Sequence, residues 1–210
     1  MGYLSLAVTS FAQNCSLVWC DHEREAAVID PGGEAQQIVA AITAQRLRPT
    51  MVLLTHGHID HVGAAVEISA HYAVPIMGPH QQDRFWLQML ERQAEMFGLP
   101  AVRQFSPDRW LQQGDSIAVG RHLLTALHCP GHTPGHLVFY AEQEKLLFAG
   151  DVLFRGAIGR TDLPGGDHRQ LIDSIREQLW PLPDDVVVIP GHGPNTTIGI
   201  ERATNPFVAE

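Results

Sequence analysis

The sequence predicts an α/β (α+β) chain folded as a four-layer αββα sandwich, one domain over residues 1–210. Three observations carry this reading. Short apolar runs rich in β-branched residues give way to helical periodicity, and the scheme occurs twice along the chain. No linker of Gly, Ser or Pro and no charge run divides the two halves. The hydrophobic share of 45% is ample for a buried core at a length of 210 residues.

In the first half, residues 3–8, 15–20 and 26–29 read as strands of an antiparallel meander, the last stopped by Asp30, Pro31, Gly32 and Gly33. Residues 34–46 set Ile38, Ala41, Ile42 and Gln45 at helical spacing and stop before Pro49, so a helix leads into a strand at 51–55. A helix over 63–72, with Val66, Ile68 and Ala70 partly buried, precedes a short strand at 74–77. Residues 81–97 carry Phe85, Trp86, Met89, Met96 and Phe97 and fit a helix lying across the body, a candidate lid. In the second half, residues 117–119, 122–127, 137–140 and 145–148 read as antiparallel strands. Gly120, the Pro130-Gly131 turn and a polar tip at Glu142, Gln143 and Glu144 link them. Asp167 is placed to cap a helix running through Trp180, and the last strand, 186–189, enters Pro190, Gly191, His192 and Gly193.

Composition narrows the function classes. Lys plus Arg number 14 against 23 Asp plus Glu, a net charge of −9 that repels a phosphate backbone, so nucleic acid is not expected as a partner. The start, MGYLSLAVTSFAQN, lacks a cationic region, and its apolar run is too short for a signal sequence or a membrane span. A cytoplasmic protein with no membrane partner is the expectation. Cys15, Cys20 and Cys129 are an odd set without CxxC spacing and read as reduced, packed thiols.

Histidine is over-represented, with 12 in the chain. His22, His71, His80 and His168 read as surface or capping residues, and His122 and His128 as core or edge positions of a strand. The rest are organised. LLTHGHIDH, LHCPGHTPGH, LLFAGD and VVVIPGHG each consist of an apolar strand that stops at a glycine-containing loop bearing His or Asp. Glycine lets such loops turn sharply and crowd donors round one point. The expected donor set is His56, His58, Asp60, His61, His132, Asp151 and His192, with His136 in reach of hydrogen-bonding behind it. Nitrogen and oxygen donors without thiolate suit zinc, iron or manganese. Seven donors exceed one tetrahedral ion and a carboxylate can bridge, so two divalent metal ions per chain, about 3.5–4 Å apart, are expected.

HGHIDH, the histidine of CPGHTPGH, the aspartate of AGD and the histidine of PGHG, in this order, resemble the metallo-β-lactamase superfamily over essentially the whole chain. The resemblance implies one metal on His56, His58 and His132, the other on Asp60, His61 and His192, and Asp151 with a hydroxide bridging both. Within the superfamily the chain looks most like the short bacterial type II glyoxalases, hydroxyacylglutathione hydrolases without the carboxy-terminal helical domain. That match is close at SFAQNCSLVWC, DRFWLQ and ERATNPF. It implies hydrolysis of a glutathione thioester such as S-lactoylglutathione, in methylglyoxal detoxification, with Asp60 catalytic as metal ligand and orienter of the hydroxide.

Glutathione carries carboxylates, for which Arg155 and Arg160 in FRGAIGRTDLPGG are the candidate partners. Arg160 falls where the longer glyoxalases place a basic contact, whereas Asp162 stands where they carry an aromatic. GRTD is also similar to the persulfide dioxygenases, which hold a single iron through two histidines and an aspartate, so an oxidoreductase acting on glutathione persulfide is the alternative. A β-lactamase is not expected to carry the bridging Asp151, and a nuclease is at odds with the length and charge. A pure metal-binding module would close its coordination sphere with protein ligands. The sequence leaves the native metal, the acyl group and thiol carrier, and the oligomeric state open.

Overall fold

In the computed structural model of the chain, which describes residues 1–208, two sheets lie face to face with helices outside each. The first sheet has the order β1 (Gly2–Val8), β2 (Gln13–Trp19), β3 (Glu25–Ile29), β4 (Arg48–Leu53), β5 (Ile76–Met77). Its first three strands form the antiparallel meander, and β3, β4 and β5 are parallel. Parallel neighbours need crossovers. Helix α1 (Ala35–Ala44) supplies the one from β3 to β4, and α2 (Ile59–Val62) with α3 (Ala65–Tyr72) the one from β4 to β5. Helices α4 (Arg84–Gln88) and α5 (Leu90–Phe97) follow.

The second sheet uses β6 (Ser116–Val119), β7 (His122–His128), β8 (Leu137–Ala141) and β9 (Leu146–Gly150) as an antiparallel set. A hairpin, β10 (Leu153–Phe154) and β11 (Ala157–Ile158), comes next, then α6 (His168–Ser174), β12 (Val187–Pro190), β13 (Thr196–Thr197) and α7 (Ile198–Thr204). β12 pairs parallel with β9, and β13 closes that edge. Among the described residues no helix is long and apolar enough to cross a membrane.

The central strands β2, β3, β8 and β9 are buried on both faces because each sheet is covered on both. Between the sheets, Val18, Ala27, Ile29 and Leu53 pack against Leu124, Leu137, Phe139, Phe148 and Ile189. Their neighbours point the other way. Leu17, Val28, Val52 and Leu54 meet Ile38 and Ile42 of α1 and Ile68 of α3, while Val138, Leu147 and Val188 meet Leu171, Ile175 and Leu179. Three apolar layers thus separate four layers of structure.

Several elements depart from the sequence-based expectation. The helix expected over 63–72 is present as α3 but starts two residues later, at Ala65, and the single turn α2 precedes it. Ile68 is buried as expected, but Val66 is 47% exposed and Ala70 is exposed, because the inward stripe of α3 is Ala65 and Ile68, three residues apart, and neither Val66 nor Ala70 falls on it. Residues 81–97 form a 3₁₀ turn (Gln81–Asp83), α4 and α5, broken at Met89. The expected cap is present, with the Gln170 N–H donating to Asp167 Oδ1 at 3.0 Å, but the helix goes over into a π-helical turn at Ile175–Leu179. The β10–β11 hairpin, β13 and α7 were not anticipated, since two-residue strands and a seven-residue helix leave almost no periodic signal.

Phe139 is fully buried between the sheets. Phe139→Ala removes that filling side chain and is expected to destabilise the fold by about 3–5 kcal/mol. Chemical denaturation monitored by tryptophan fluorescence measures the loss; a cost under about 1 kcal/mol would show that this layer is not tightly packed.

Candidate metal centre

Four strand ends and loops deliver the seven donors to one rim. His56 and His58 follow β4, and the single turn of α2 holds Asp60 and His61. His132 lies in the β7–β8 loop, Asp151 directly after β9 and His192 just past β12. His58 Nδ1 stands 3.1 Å from His56 Nε2 and 3.0 Å from His132 Nε2. His192 Nε2 stands 3.3 Å from Asp60 Oδ2, and His61 Nε2 3.8 Å from the same oxygen. Asp151 lies between these triplets: Oδ1 is 3.3 Å from His61 Nε2, and Oδ2 is 3.6 Å from both His132 Nε2 and His192 Nε2. Such crowding requires glycine nearby. A Cβ on Gly191 would stand 2.2 Å from Asp151 Oδ1.

Hydrogen bonds behind the rings fix which nitrogen faces the centre. His61 Nδ1–H donates to Asp30 Oδ2 at 2.9 Å. The same oxygen accepts from the Thr55 hydroxyl at 2.6 Å, and Thr55 Oγ1 in turn accepts from His56 Nδ1–H at 3.0 Å. His132 Nδ1–H donates to the Arg160 carbonyl at 2.7 Å, and His192 Nδ1–H to the Phe11 carbonyl at 3.1 Å. In all four rings this leaves Nε2 lone pairs converging inward. His136 is not among the converging donors: its Nε2 accepts the Asp151 backbone N–H at 3.0 Å and its ring stacks on His56 at 4.6 Å. Asp30 was read from sequence only as a strand stop. Its signal was the carboxylate itself, placed where an apolar strand ends against Pro31 and two glycines.

Burial, reinforced by neighbouring imidazoles, holds His56 and His58 well below the usual histidine range, and burial lowers His132, so these rings are neutral at pH 7 with lone pairs free to meet a cation. Burial opposes a proton on His61 and His192, yet Asp151 and Asp60 outweigh it and raise both. Burial also opposes ionisation of Asp60 and Asp151, yet His61 leads the neighbours that lower them. The group is built around positive charge at its middle. Buried His61 Nε2 and Asp151 Oδ1 find no hydrogen-bond partner, and donors sharing a tetrahedral ion at about 2.0–2.1 Å would sit roughly 3.3 Å apart. Convergent His and Asp donors with orphaned lone pairs fit metal, and two triplets, His56/His58/His132 and Asp60/His61/His192, are each close enough to share an ion.

A cavity of about 360 Å³ opens over these donors, walled by Phe11, Phe97, Phe154, Ile158 and Leu163, with Arg160 at its edge. Arg160 points its fork at Asp162, Nε to Oδ1 at 2.7 Å and Nη2 to Oδ2 at 2.8 Å, a pairing that pushes the Asp162 carboxyl down to about 2. Arg155 is exposed next to the turn of the β10–β11 hairpin and does not line the cavity. That hairpin, which supplies Phe154 and Ile158, is held from behind by α7. Glu201, 1% exposed, accepts from the Gly156 N–H at 2.9 Å and from Thr196 Oγ1, and Asn205 Nδ2 donates to the Ala157 carbonyl at 3.1 Å. A wider groove of about 760 Å³ runs between the turn after β1, the start of α1 and residues 98–102; none of the seven donors lines it.

Residues 8–192 match the family described as the Metallo-beta-lactamase superfamily. The chain belongs to that superfamily. Hydroxyacylglutathione hydrolase GloC of Haemophilus influenzae is 50% identical over 97% of this chain and 96% of its own length. Among solved structures, that of TTHA1623 in a di-iron-bound form has a TM-score of 0.89 at 37% identity, covering 97% of this chain and 99% of the other. That of the BLEG-1 B3 metallo-beta-lactamase has a TM-score of 0.92 at 36% identity, covering 100% of each. The chain is therefore an enzyme of a metallo-hydrolase family, with the metallo-beta-lactamase fold and a His/Asp metal site.

Glu201→Ala leaves the Gly156 N–H, the Thr196 hydroxyl and the Asn205 amide without their acceptor. The expected cost is at least about 2 kcal/mol in stability with metal content unchanged. Thermal denaturation beside elemental analysis measures both; a loss of metal in parallel would show that α7 supports the centre and not the cavity wall alone.

Proposed function

We propose that the chain is a thioester hydrolase that uses two divalent ions, zinc, iron or manganese, to cleave an S-2-hydroxyacylglutathione such as S-lactoylglutathione into the hydroxy acid and glutathione. The observation that carries it is Asp151, whose two carboxylate oxygens are shared between the two histidine triplets. This favours two ions over the single iron of a dioxygenase. The 50% identical hydroxyacylglutathione hydrolase supports the substrate class.

In this reading His56, His58 and His132 would hold one ion and Asp60, His61 and His192 the other, with Asp151 placed to serve either triplet. When bound, such ions supply hydroxide near neutral pH by lowering the pKa of water from 15.7 to about 7. The remaining work belongs to the chain. Asp60, partly accessible at the cavity floor, accepts a hydrogen bond from the nucleophile and aims it at the carbonyl carbon. The walls of Phe11, Phe97, Phe154 and Ile158 seat the thioester and keep bulk water off it. A thiolate leaves without protonation by a strong acid, so no general acid is needed. Arg160 meets a glutathione carboxylate by exchanging it for Asp162.

The deciding assay offers purified protein S-lactoylglutathione and glutathione persulfide and records thiol release and oxygen uptake separately. Thiol release with about two ions per chain is expected. Oxygen uptake with one ion would move the protein to the dioxygenase class. Asp60→Asn keeps side-chain size but weakens the contact that orients the nucleophile, and turnover is expected to fall at least about a hundredfold with metal largely retained. Near-normal turnover in a metal-loaded variant would reduce Asp60 to a ligand.

Arg160→Ala is expected to raise KM for the glutathione thioester by about fivefold or less with little change in kcat. The gain from a substrate carboxylate is partly cancelled by the Asp162 pairing it displaces. A small neutral thioester serves as control, and equal losses with both substrates would rule out a carboxylate contact.

A further inference from the structure

One buried carboxylate takes no part in the chemistry above. Asp83 ends the 3₁₀ turn ahead of α4 and is 0% exposed. Its partners are three donors on the two loops that carry His56, His58 and His132. Oδ2 accepts the Gly57 N–H at 2.9 Å and the Thr133 hydroxyl at 2.8 Å, and Oδ1 accepts the Gly135 N–H at 2.6 Å. Gly57 stands between His56 and His58, and Thr133 follows His132. The approach is close enough to dictate both glycines: a Cβ on Gly57 would lie 2.6 Å from Trp86 Cβ, and one on Gly135 2.7 Å from Asp83 Oδ1. The turn is also tied through its backbone, with the His80 N–H donating to the Gly135 carbonyl at 3.1 Å. Burial raises the Asp83 carboxyl to about 6, and the three donors oppose that rise, so it is ionised at pH 7.

The other triplet is oriented elsewhere. His61 depends on Asp30 and His192 on the Phe11 carbonyl, neither of which touches Asp83. We infer that Asp83 is a positioning residue for one half of the centre: by clamping two loops that are far apart in sequence, it sets the separation of His56, His58 and His132 and hence the affinity of that triplet for its ion. The inference rests on the two-ion reading above. An asparagine at this position has one acceptor oxygen for donors on both sides, so in either orientation its NH₂ faces a donor of one loop. With its oxygen in the Oδ1 place it releases Gly57 and Thr133, and with it in the Oδ2 place it releases Gly135, so the clamp on the two loops loosens either way, while the Asp60, His61 and His192 triplet keeps its own anchors.

The test is metal binding by the whole protein, with zinc titrated against a chromophoric chelator and Co(II) spectra as a second readout. His58→Ala and His192→Ala mark which binding step belongs to which triplet. Asp83→Asn is expected to weaken the step lost in His58→Ala at least about tenfold, in the range of losses seen when a group behind a metal ligand is removed. The step lost in His192→Ala should stay within about threefold. Thr133→Val, which removes one donor and no buried charge, should shift the same step in the same direction by a smaller factor; it decides the matter if Asp83→Asn is not recovered folded. Equal weakening of both steps, as a merely structural role would give, overturns the inference, as does no weakening of either. Wild-type protein that takes up fewer than two ions overturns the two-ion reading and the role of Asp83 together. Two ions in the wild type with both steps intact in the variants overturn the role of Asp83 alone.

Discussion

Five imidazoles and two carboxylates pointing lone pairs at one place repel one another unless positive charge lies among them, and holding that arrangement is the constraint on which the structure turns. Four of the five rings are pinned from behind by an acceptor, whether Asp30, Thr55, or the carbonyls of Arg160 and Phe11. Each loop is let in by a glycine where a Cβ would collide, as at Gly191. The two sheets serve this purpose. β4, β9 and β12 all end at the same rim, so rigid, doubly covered strands bring the donors there.

The separation between binding ions and binding substrate is visible in the packing. The donors sit on strand ends sealed by the inter-sheet layer, whereas the cavity walls come from a two-residue hairpin, the turn after β1 and the end of α5. Arg160 belongs to both. Its carbonyl fixes the His132 tautomer and its side chain faces the cavity edge, so the loop that shapes recognition also tunes a donor. In the proposed function that coupling joins substrate preference to the metal centre without a separate relay.

The sandwich and the donors were legible because both rest on strong local signals: apolar runs ending at glycine, with histidine at spacings no surface pattern requires. Asp30, Asp83 and Glu201 were not, because an isolated acidic residue reads the same whether it is solvated or fully buried. Only the approach of distant loops makes their carboxylates acceptors for backbone and side-chain donors. The β10–β11 hairpin was missed for a related reason, since its two-residue strands are held by Glu201 and Asn205 more than by their own pattern. By sequence, residues 81–97 are a candidate lid. The structure makes Asp83 and Gln93 braces for the ligand loops, Gln93 Oε1 accepting the Ile59 N–H at 2.9 Å, and leaves Phe97 at the cavity.

The parallel pairing of β12 with β9 and the position of His192 beyond it have a consequence in time. His61 and His192 come from opposite halves of the chain, and their rings meet at 5.4 Å only after the second sheet has closed on the first. Contacts of such long sequence separation form late, because the entropy of closing a long loop is lost before any contact repays it. The full donor set therefore exists only once both halves of the chain have docked, so the assembled centre reports on closure of the whole sandwich.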